Sequence, residues 1–357
     1  MSKEKLGIIF GGKGMEYYVS CKTVCNLVPF LDSNKYEVYL IGLTRKGQWL
    51  LTKASLEEIS DGKKWLENKD NFEVTFSLDE LEQSIIVFDN DTYKKISLDV
   101  ILPLMHGFGG EDGRLQGVLD FTGIPYVGAG VAASACSMDK ELTALFAHEC
   151  GVKLPKSISI SKKEYYDDTK KCLDKIKTIN YPIFVKPATG GSSVGVSRVK
   201  NNIDLEEAIN YSFEVDNKVV IEEEIKGTEI KVALLGNDNP KVGAICELSI
   251  EEGKINDYQT KYSSDPNVHS EKHIPAELDN NLEERIIHDA KAVYKQLNCK
   301  GFARVDFFLT ENNELYFNEI NTIPGCGNTS IFSVMFDKAG LPFSKMLDEL
   351  INTAKTK

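Results

Sequence analysis

The chain lacks several patterns that would define its class at once. Its 357 residues contain no uninterrupted apolar run of about 18 residues, the length that a membrane-spanning helix needs. No two of its eight cysteines form a C-x-x-C pair, and its first residues carry no apolar segment of signal-peptide length. These absences predict a cytoplasmic protein with reduced thiols and no membrane partner.

An excess of positive charge is also absent. The chain has 42 Lys and Arg residues against 54 Asp and Glu residues, a formal net charge of −12 at pH 7. Nucleic-acid binding needs a basic face that neutralises phosphates, so we expect no nucleic-acid partner. Small phosphorylated ligands stay open, because a few lysines and backbone N–H groups suffice to bind one phosphate group.

Two common enzyme signatures are missing as well. The sequence contains neither the P-loop pattern G-x-x-x-x-G-K-[ST] nor the zinc pattern H-E-x-x-H. The loop "FGGKGMEYYVS" follows the first apolar strand but does not complete G-x-G-x-x-G, which disfavours a dinucleotide site there. The chemistry of the chain must therefore come from other residues.

Strand and helix patterns alternate through the first third of the chain. The segments "LGIIFGG" and "SLDVILPLMHGFGGEDG" are typical of apolar strands that enter glycine loops, and "GRLQGVLDFTG" is typical of a helix. This order predicts a parallel α/β unit at the N-terminal end. Farther on, residues 253–275 are polar, irregular and marked by Gly and Pro, and a loop of that length is usually functional or mobile.

The stretch "RVDFFLTENNELYFNEIN" predicts a β-hairpin with a two-residue turn at 312–313. In that register Asp306 lies opposite Glu319 and Arg304 opposite Asn321, with all four side chains on one face. Two facing carboxylates repel each other unless a cation lies between them. Mg²⁺ fits, because it prefers carboxylate oxygens and is often completed by nucleotide phosphates. An ordinary charged sheet surface is the alternative, disfavoured by the "TIPGCGNTS" loop that follows.

Three further segments carry candidate binding groups. "FVKPATGGSSVGVSRV" sets Lys186 before a glycine- and serine-rich loop that can wrap phosphate oxygens, with a ligand-free glycine hairpin as an equal alternative. Glu16 can hold a cationic group at the carboxyl edge of the sheet, although a helix-start carboxylate is the simpler explanation. His106 lies in a glycine loop, where a structural role is the default.

Taken together, these segments resemble the D-alanine–D-alanine ligases of the ATP-grasp superfamily. The resemblance covers nearly the whole chain, apart from residues 53–97, and follows the order of the family. The matching segments are "GIIFGGKGMEYYVS", "PLMHGFGGEDGRLQG", "SMDK", "FVKPATGGSSVGVSRV", "VIEEEIKGTEI", "DYQTKY" and "GFARVDFFLTENNELYFNEINTIPG".

The resemblance implies an α/β fold of three domains. Residues 1–128 would form an N-terminal parallel α/β domain on the side of the first substrate. Residues 129–224 and 225–357 would form central and C-terminal α+β ATP-grasp domains that sandwich ATP, the latter with the metal site and a mobile loop near 253–275.

The resemblance also assigns roles to individual residues. The ATP-binding residues it implies are Lys140, Lys186, Glu222, Ile225, Glu229 and Lys261. The ligands of two Mg²⁺ ions, with Mn²⁺ as a substitute, are Asp306, Glu319 and Asn321. The residues implied at the reacting groups are Glu16, Ser192, Tyr262, Arg304, Gly325 and Ser330, with His106 and Ile331 at the substrates.

The implied reaction joins two D-alanines for peptidoglycan precursors. ATP phosphorylates the first D-alanine carboxylate, and the amine of the second attacks the acyl phosphate. Glu16 would hold the first ammonium in a Glu–Ser–Tyr set with Ser192 and Tyr262, and Arg304 and the Gly325 N–H would face the oxyanion. The family also implies a homodimer.

The chain departs from the family pattern in the rim of the second-substrate site. "PGCGNTSIFS" lacks the threonine that the family carries two residues after Gly325, whereas Ser330 keeps its spacing. A D-alanine–D-serine ligase and a catalytically inactive nucleotide-binding paralogue are therefore alternatives. The Lys261–Tyr262 pair argues against the relatives that use D-lactate.

Overall fold

The computed structural model describes residues 2–249 and 271–357. In these two ranges, no helix combines the length and the apolar character that crossing a membrane requires. Most of the predicted loop near 253–275, including Lys261 and Tyr262, lies outside the described residues. The end of that segment is not a loop, because Glu271–His273 forms a short strand.

The first sheet contains seven strands, of which the first is buried along most of its length. The strands are β1 (Glu4–Gly11), β2 (Tyr36–Leu43), β3 (Trp49–Thr52), β4 (Phe72–Phe76), β5 (Ser84–Asp89), β6 (Thr92–Ser97) and β7 (Val100–Pro103). Their order is β6-β5-β4-β3-β2-β1-β7. β1 pairs in parallel with β2 and β7, which confirms the predicted parallel unit. β2 to β6 continue as antiparallel neighbours.

Three helices accompany this sheet. They are α1 (Tyr17–Leu27), α2 (Leu56–Asp61) and α3 (Arg114–Thr122). α1 starts directly after the loop that follows β1, and α3 starts after the loop that follows β7. Both loops therefore lie at the carboxyl edge of neighbouring parallel strands, where α/β folds bind ligands.

The second sheet is antiparallel and has a core on one face. Its strands are β8 (Ser157–Ser161), β9 (Ile183–Pro187), β10 (Ser197–Val199) and β11 (Lys218–Glu223), in the order β10-β9-β11-β8. Its helices are α6 (Lys162–Asp167), α7 (Thr169–Ile176) and α8 (Leu205–Phe213). Alternate residues such as Val185 and Ile221 join the core, so Lys186 and Glu222 point to the opposite face.

The third sheet carries the predicted hairpin. Its strands are β12 (Thr228–Leu235), β13 (Lys241–Val242), β14 (Cys246–Ser249), β15 (Glu271–His273), β16 (Phe302–Leu309) and β17 (Leu315–Asn321). The order is β15-β14-β12-β16-β17, with β13 beside β12. The nearby helices are α4 (Val131–Met138), α5 (Lys140–Glu149), α9 (Asn280–Gln296), α10 (Ile331–Lys338) and α11 (Phe343–Thr353).

Two cores connect these elements. Residues of α4, α5 and α9 pack with Ile230, Phe307 and Phe317 on one face of the third sheet. Residues of α10 and α11 pack together with β1 and β7 of the first sheet. The predicted boundaries at 128/129 and 224/225 stay a prediction.

The hairpin has the predicted register at its polar end, but it reaches that register differently. Arg304 pairs with Asn321 and Asp306 with Glu319, as expected. The predicted two-residue turn is wrong: the Thr310 N–H donates to the Glu314 carbonyl across a three-residue loop.

A β-bulge restores the expected register. Phe307 pairs with Phe317 while Asp306 pairs with Glu319, so Asn318 is one extra residue in β17. Phe317 therefore stays in the core, while Asn318 and Glu319 both face the space beside the sheet. The bulge thus interrupts the alternation of side chains along β17 between the core residue Phe317 and the polar residue Glu319.

Candidate active site

A cleft of about 1500 Å³ brings together residues of the second and third sheets and residues that follow β1 and β7 of the first. The predicted site residues on its wall are Glu16, His106, Lys140, Lys186, Ser192, Glu222, Ile225, Glu229, Arg304, Glu319, Asn321, Gly325, Ser330 and Ile331. Asp306 is completely buried behind Arg304. The structure thus places fifteen of the seventeen predicted residues at one location, and the other two, Lys261 and Tyr262, lie outside the described residues.

Glu16 and Ser192 form one corner of the cleft. Glu16 directly precedes α1 and is 8% exposed, and its Oε1 accepts a hydrogen bond of 2.7 Å from the Ser192 hydroxyl. Ser192 and Ser193 have φ angles of 54° and 58°, in the left-handed region that L-residues rarely adopt. The loop holds a strained backbone that presents the serine hydroxyl to the carboxylate.

His106 and Glu111 bind the two backbone polar groups of one residue, Ile323. His106 Nδ1 lies 2.9 Å from the Ile323 carbonyl oxygen, and Glu111 accepts a hydrogen bond of 2.9 Å from the Ile323 N–H. Glu111 also accepts a 2.7 Å hydrogen bond from the Gly107 N–H. The loop after β7 therefore positions the loop after β17.

Burial determines the protonation of both side chains. It lowers the pKa of His106, which keeps the imidazole neutral and allows Nδ1–H to donate to the carbonyl. Burial raises the pKa of Glu111 to about 7, although two backbone N–H groups oppose the shift. Sequence analysis did not select Glu111; its place in the loop "HGFGGEDG", five residues after His106, was the available signal.

Two lysines lie near each other in the cleft. Lys140 begins α5, and its ammonium donates a 2.8 Å hydrogen bond to the Gly190 carbonyl in the glycine loop. Lys186 lies 2.5 Å from Glu222 on the neighbouring strand. Burial lowers the pKa of Lys140 while the nearby Glu319 carboxylate opposes that shift. Fixed ammonium groups in a buried cleft bind phosphate oxygens strongly.

Asp306 is the centre of a buried charge network. Arg304 donates two hydrogen bonds to it, 2.7 Å from Nε to Oδ1 and 2.6 Å from Nη2 to Oδ2. Lys231 lies 3.1 Å from Oδ2 and also 2.6 Å from Oε1 of Glu229. Burial alone would raise the pKa of Asp306, but the two cations outweigh burial and hold that pKa below its usual range.

Lys231 is a second residue that sequence analysis missed. Burial acts to lower its pKa, but the carboxylates of Asp306 and Glu229 outweigh burial and raise it. The two-residue period of "TEIKV" puts Lys231 on the same face as Glu229, and this was the available signal. Its pairing with Asp306 comes from strand neighbours 75 residues apart in sequence.

The acidic end of the cleft fits a hard cation. Glu319 and Asp306 face each other across β16 and β17, and the Asn321 side chain lies 3.3 Å from Glu319. No group of three or more His, Cys, Asp or Glu residues in ranges 2–249 and 271–357 is arranged to hold a metal alone. Two carboxylates and one amide suit Mg²⁺, which leaves other positions to phosphate oxygens and water.

The loop before α10 forms another part of the cleft rim. Ser330 precedes α10, and its hydroxyl oxygen accepts a 2.9 Å hydrogen bond from the Gly327 N–H. A Cβ atom on Gly327 would come within 3.0 Å of the Asn26 side chain of α1, so the rim packs closely on the first sheet's helix. Cys326 is completely buried beneath this rim.

The sheets and the cleft between them match the solved D-alanine–D-alanine ligase of Coxiella burnetii with a TM-score of 0.81 at 29% identity, which places the fold in the ATP-grasp class of ligases. Family models described as D-ala D-ala ligase N-terminus and C-terminus match residues 5–129 and 146–352. The chain belongs to the D-alanine–D-alanine ligase family.

Individual relatives resemble the chain over its whole length. The D-alanine–D-alanine ligase of Natranaerobius thermophilus is 38% identical, with 99% of this chain and 95% of the relative covered. The crystal structure of the VanG D-Ala:D-Ser ligase from Enterococcus faecalis has a TM-score of 0.88 at 35% identity, covering 99% and 100% of the two chains. The D-alanine–D-alanine ligase from Bacillus anthracis complexed with ATP has a TM-score of 0.71 at 28% identity, covering 99% and 98%.

Proposed function

We propose that the protein joins two molecules of D-alanine at the expense of ATP, through an acyl phosphate, and so makes D-alanyl-D-alanine for peptidoglycan precursors. One observation carries the proposal. A single cleft holds a carboxylate suited to an ammonium group at one corner and lysines with paired carboxylates at the other. An amino acid and a nucleotide phosphate can therefore meet within it.

The nucleotide would lie between the second and third sheets. Lys140 and Lys186 would bind its phosphates, while Glu222 and Ile225 would contact the adenine and Glu229 the ribose. Asp306, Glu319 and Asn321 would hold two Mg²⁺ ions, which supply charge neutralisation for phosphoryl transfer when bound. Lys261 would reach the transferred phosphate.

The substrates would lie toward the first sheet. Glu16, oriented by Ser192, would hold the ammonium of the first D-alanine, and Tyr262 would complete that set. His106 and Ile331 would line the substrate pocket, and Ser330 would bind the carboxylate of the second D-alanine.

Arg304 can serve both Asp306 and the oxyanion. A guanidinium has five N–H donors, and Asp306 uses two of them in this structure. The remaining donors, with the Gly325 N–H, would stabilise the tetrahedral oxyanion when the amine attacks. Because Asp306 fixes the guanidinium, the donors need no reorganisation during the reaction.

Phosphate release with ATP, Mg²⁺ and D-alanine tests this function, with product identification by mass. We expect D-alanyl-D-alanine from the wild type and loss of turnover in Glu319→Ala. Glu349→Ala is the matched control, because Glu349 pairs with Lys241 at the surface and lies outside the cleft wall. Phosphate release by Glu319→Ala at the wild-type rate would remove Glu319 from the site, and no release by the wild type would leave an inactive nucleotide-binding paralogue.

A D-alanine–D-serine ligase is the second candidate. The altered rim "CGNTS" and the likeness to the VanG D-Ala:D-Ser ligase favour it. Competition between D-alanine and D-serine as the second substrate, measured across pH by mass spectrometry, separates the two. A mixed dipeptide as main product would support the second candidate, and its absence at every pH would exclude it.

The proposal also includes the location, the oligomeric state and the domain boundaries of the protein. We place the protein in the cytoplasm as a homodimer, with domains at 1–128, 129–224 and 225–357. The resemblance to the family supports all three. Analytical ultracentrifugation tests the dimer, and limited proteolysis with mass mapping tests the domain boundaries.

A further inference from the structure

Lys231 lies in an unusual position for a lysine. Its side chain is 4% exposed, in the middle of β12, and it bridges two carboxylates. One is Glu229, two residues earlier on the same strand, and the other is Asp306, its pairing partner on β16. Lysines are rarely buried so completely unless they are paired.

The two carboxylates have different proposed partners. Glu229 is assigned to the ribose and Asp306 to the metal. The Lys231 ammonium therefore joins the two ends of the nucleotide site through contacts of 2.6 Å and 3.1 Å. A shift of either carboxylate therefore displaces the ammonium group that also binds the other carboxylate.

Lys231 also occupies part of the coordination capacity of Asp306. A carboxylate offers about four lone-pair positions. Arg304 uses one on Oδ1 and one on Oδ2, and Lys231 takes a second on Oδ2. One position, on Oδ1, is left for a metal, and the ammonium charge repels a divalent cation that approaches it.

We propose that Lys231 is a positioning residue that links Glu229 to Asp306 and sets how strongly nucleotide binding depends on Mg²⁺. This rests on the proposed roles of those two carboxylates. As a fixed cation, Lys231 attracts the nucleotide in the absence of metal and weakens metal binding to Asp306. It therefore keeps the site from filling with metal before the nucleotide phosphates arrive.

The test is ADP binding by the full chain, measured calorimetrically over a range of Mg²⁺ concentrations. Lys231→Met keeps an unbranched side chain one atom shorter and removes the charge, Lys231→Gln keeps a hydrogen-bond donor, and Lys231→Arg keeps the charge. Lys218→Met is the matched control, because Lys218 also bridges two carboxylates, Asp139 and Glu141, but lies outside the cleft wall.

In Lys231→Met and Lys231→Gln we expect the affinity for ADP without metal to fall. The Mg²⁺ midpoint, which is the Mg²⁺ concentration that gives half of the metal-dependent gain in ADP affinity, should drop about tenfold or more. Lys231→Arg and Lys218→Met should keep the wild-type midpoint. A purely structural lysine would lower the unfolding temperature and leave the midpoint within about twofold, which would overturn the proposal. If the wild type binds no ADP at any Mg²⁺ concentration, the proposed function fails, and that outcome is distinct.

A measurement on the wild type keeps the proposal testable if the neutral variants do not fold. Mn²⁺ alone is titrated into the nucleotide-free protein and followed by electron paramagnetic resonance. We expect the signal of free Mn²⁺ to persist through the sub-millimolar range, because Lys231 and Arg304 already neutralise Asp306. Binding of Mn²⁺ at Asp306 at micromolar concentration would refute the proposal.

Discussion

Asp306→Asn is the most direct perturbation of the buried charge network. The substitution keeps the shape of the side chain but removes its negative charge. Asp306 is completely buried and receives hydrogen bonds from two cations, Arg304 and Lys231. In the variant Arg304 loses its charge partner, and Lys231 retains only Glu229.

The magnitude follows from burial. Removing one partner from a buried ion pair costs about 3–5 kcal/mol, because an uncompensated charge is left in a low-dielectric site. At about 1.4 kcal/mol per tenfold, local opening of β16 and β17 should become about a hundredfold or more frequent. We expect this in hydrogen exchange of peptides from these strands, together with loss of phosphate release.

The pH dependence provides an internal check. The pKa of Asp306 is held below its usual range, so the network contributes stability above the unfolded-state pKa, about 3.9. This contribution is lost only as the pH falls through the lower folded-state pKa. The difference between wild type and Asp306→Asn should therefore persist from pH 7 down to about pH 4.

Glu314→Gln is the matched control for this experiment. Glu314 belongs to the same hairpin and pairs with Lys153, but both side chains are nearly half exposed. Exposed ion pairs contribute little, so its hydrogen exchange should match the wild type. Equal protection of β16 in Asp306→Asn and Glu314→Gln would refute the account of a buried network.

Three further predictions concern separate features. The free energy of unfolding of Glu111→Gln should rise by up to about 3 kcal/mol relative to wild type between about pH 4.5 and pH 7. The reason is that wild-type Glu111, with its pKa raised to about 7, must ionise in a buried site. Urea unfolding at both pH values checks the sign, and an equal change of stability with pH in both proteins would contradict it. Ser192→Ala should lower kcat/KM for D-alanine by about 10- to 100-fold, since it removes a charge-assisted hydrogen bond to Glu16; unchanged kinetics would exclude that bond from the reaction. Asn313→Val should cost about 1–2 kcal/mol, because Asn313 has a φ of 58°, while Asn313→Gly should not destabilise; thermal unfolding of both variants tests the loop conformation, and equal stability would contradict it.

The hairpin of β16 and β17 shows how much of a strand pairing the sequence pattern can predict. The predicted two-residue turn placed Asp306 opposite Glu319, and that pairing is confirmed although the turn itself is wrong. A three-residue loop shifts the register by one residue, and the bulge at Asn318 shifts it back. Apolar residues that must stay in the core determine the register at both ends, so the polar pair is preserved whichever turn the chain forms.

The interactions between site residues were harder to predict from the sequence. Sequence analysis assigned Arg304 to an oxyanion, whereas the structure also gives it a two-point contact with Asp306. Glu111 and Lys231 were not selected, because each lies in a segment with an ordinary structural explanation. Their importance comes from groups elsewhere in the chain, the backbone N–H of Ile323 for Glu111 and the Asp306 carboxylate for Lys231.

The sequence by itself determined the class of fold, the family and the residue types that reach the cleft. Periodicity and glycine loops are local, so they indicate which face of a strand a side chain takes and where a strand ends. Only the tertiary structure decided which charges meet. Lys231 and Asp306 lie 75 residues apart, and only the pairing of β12 with β16 brings them within 3.1 Å. A buried charge takes its pKa and its partner from such neighbours, and these are a property of the packed chain.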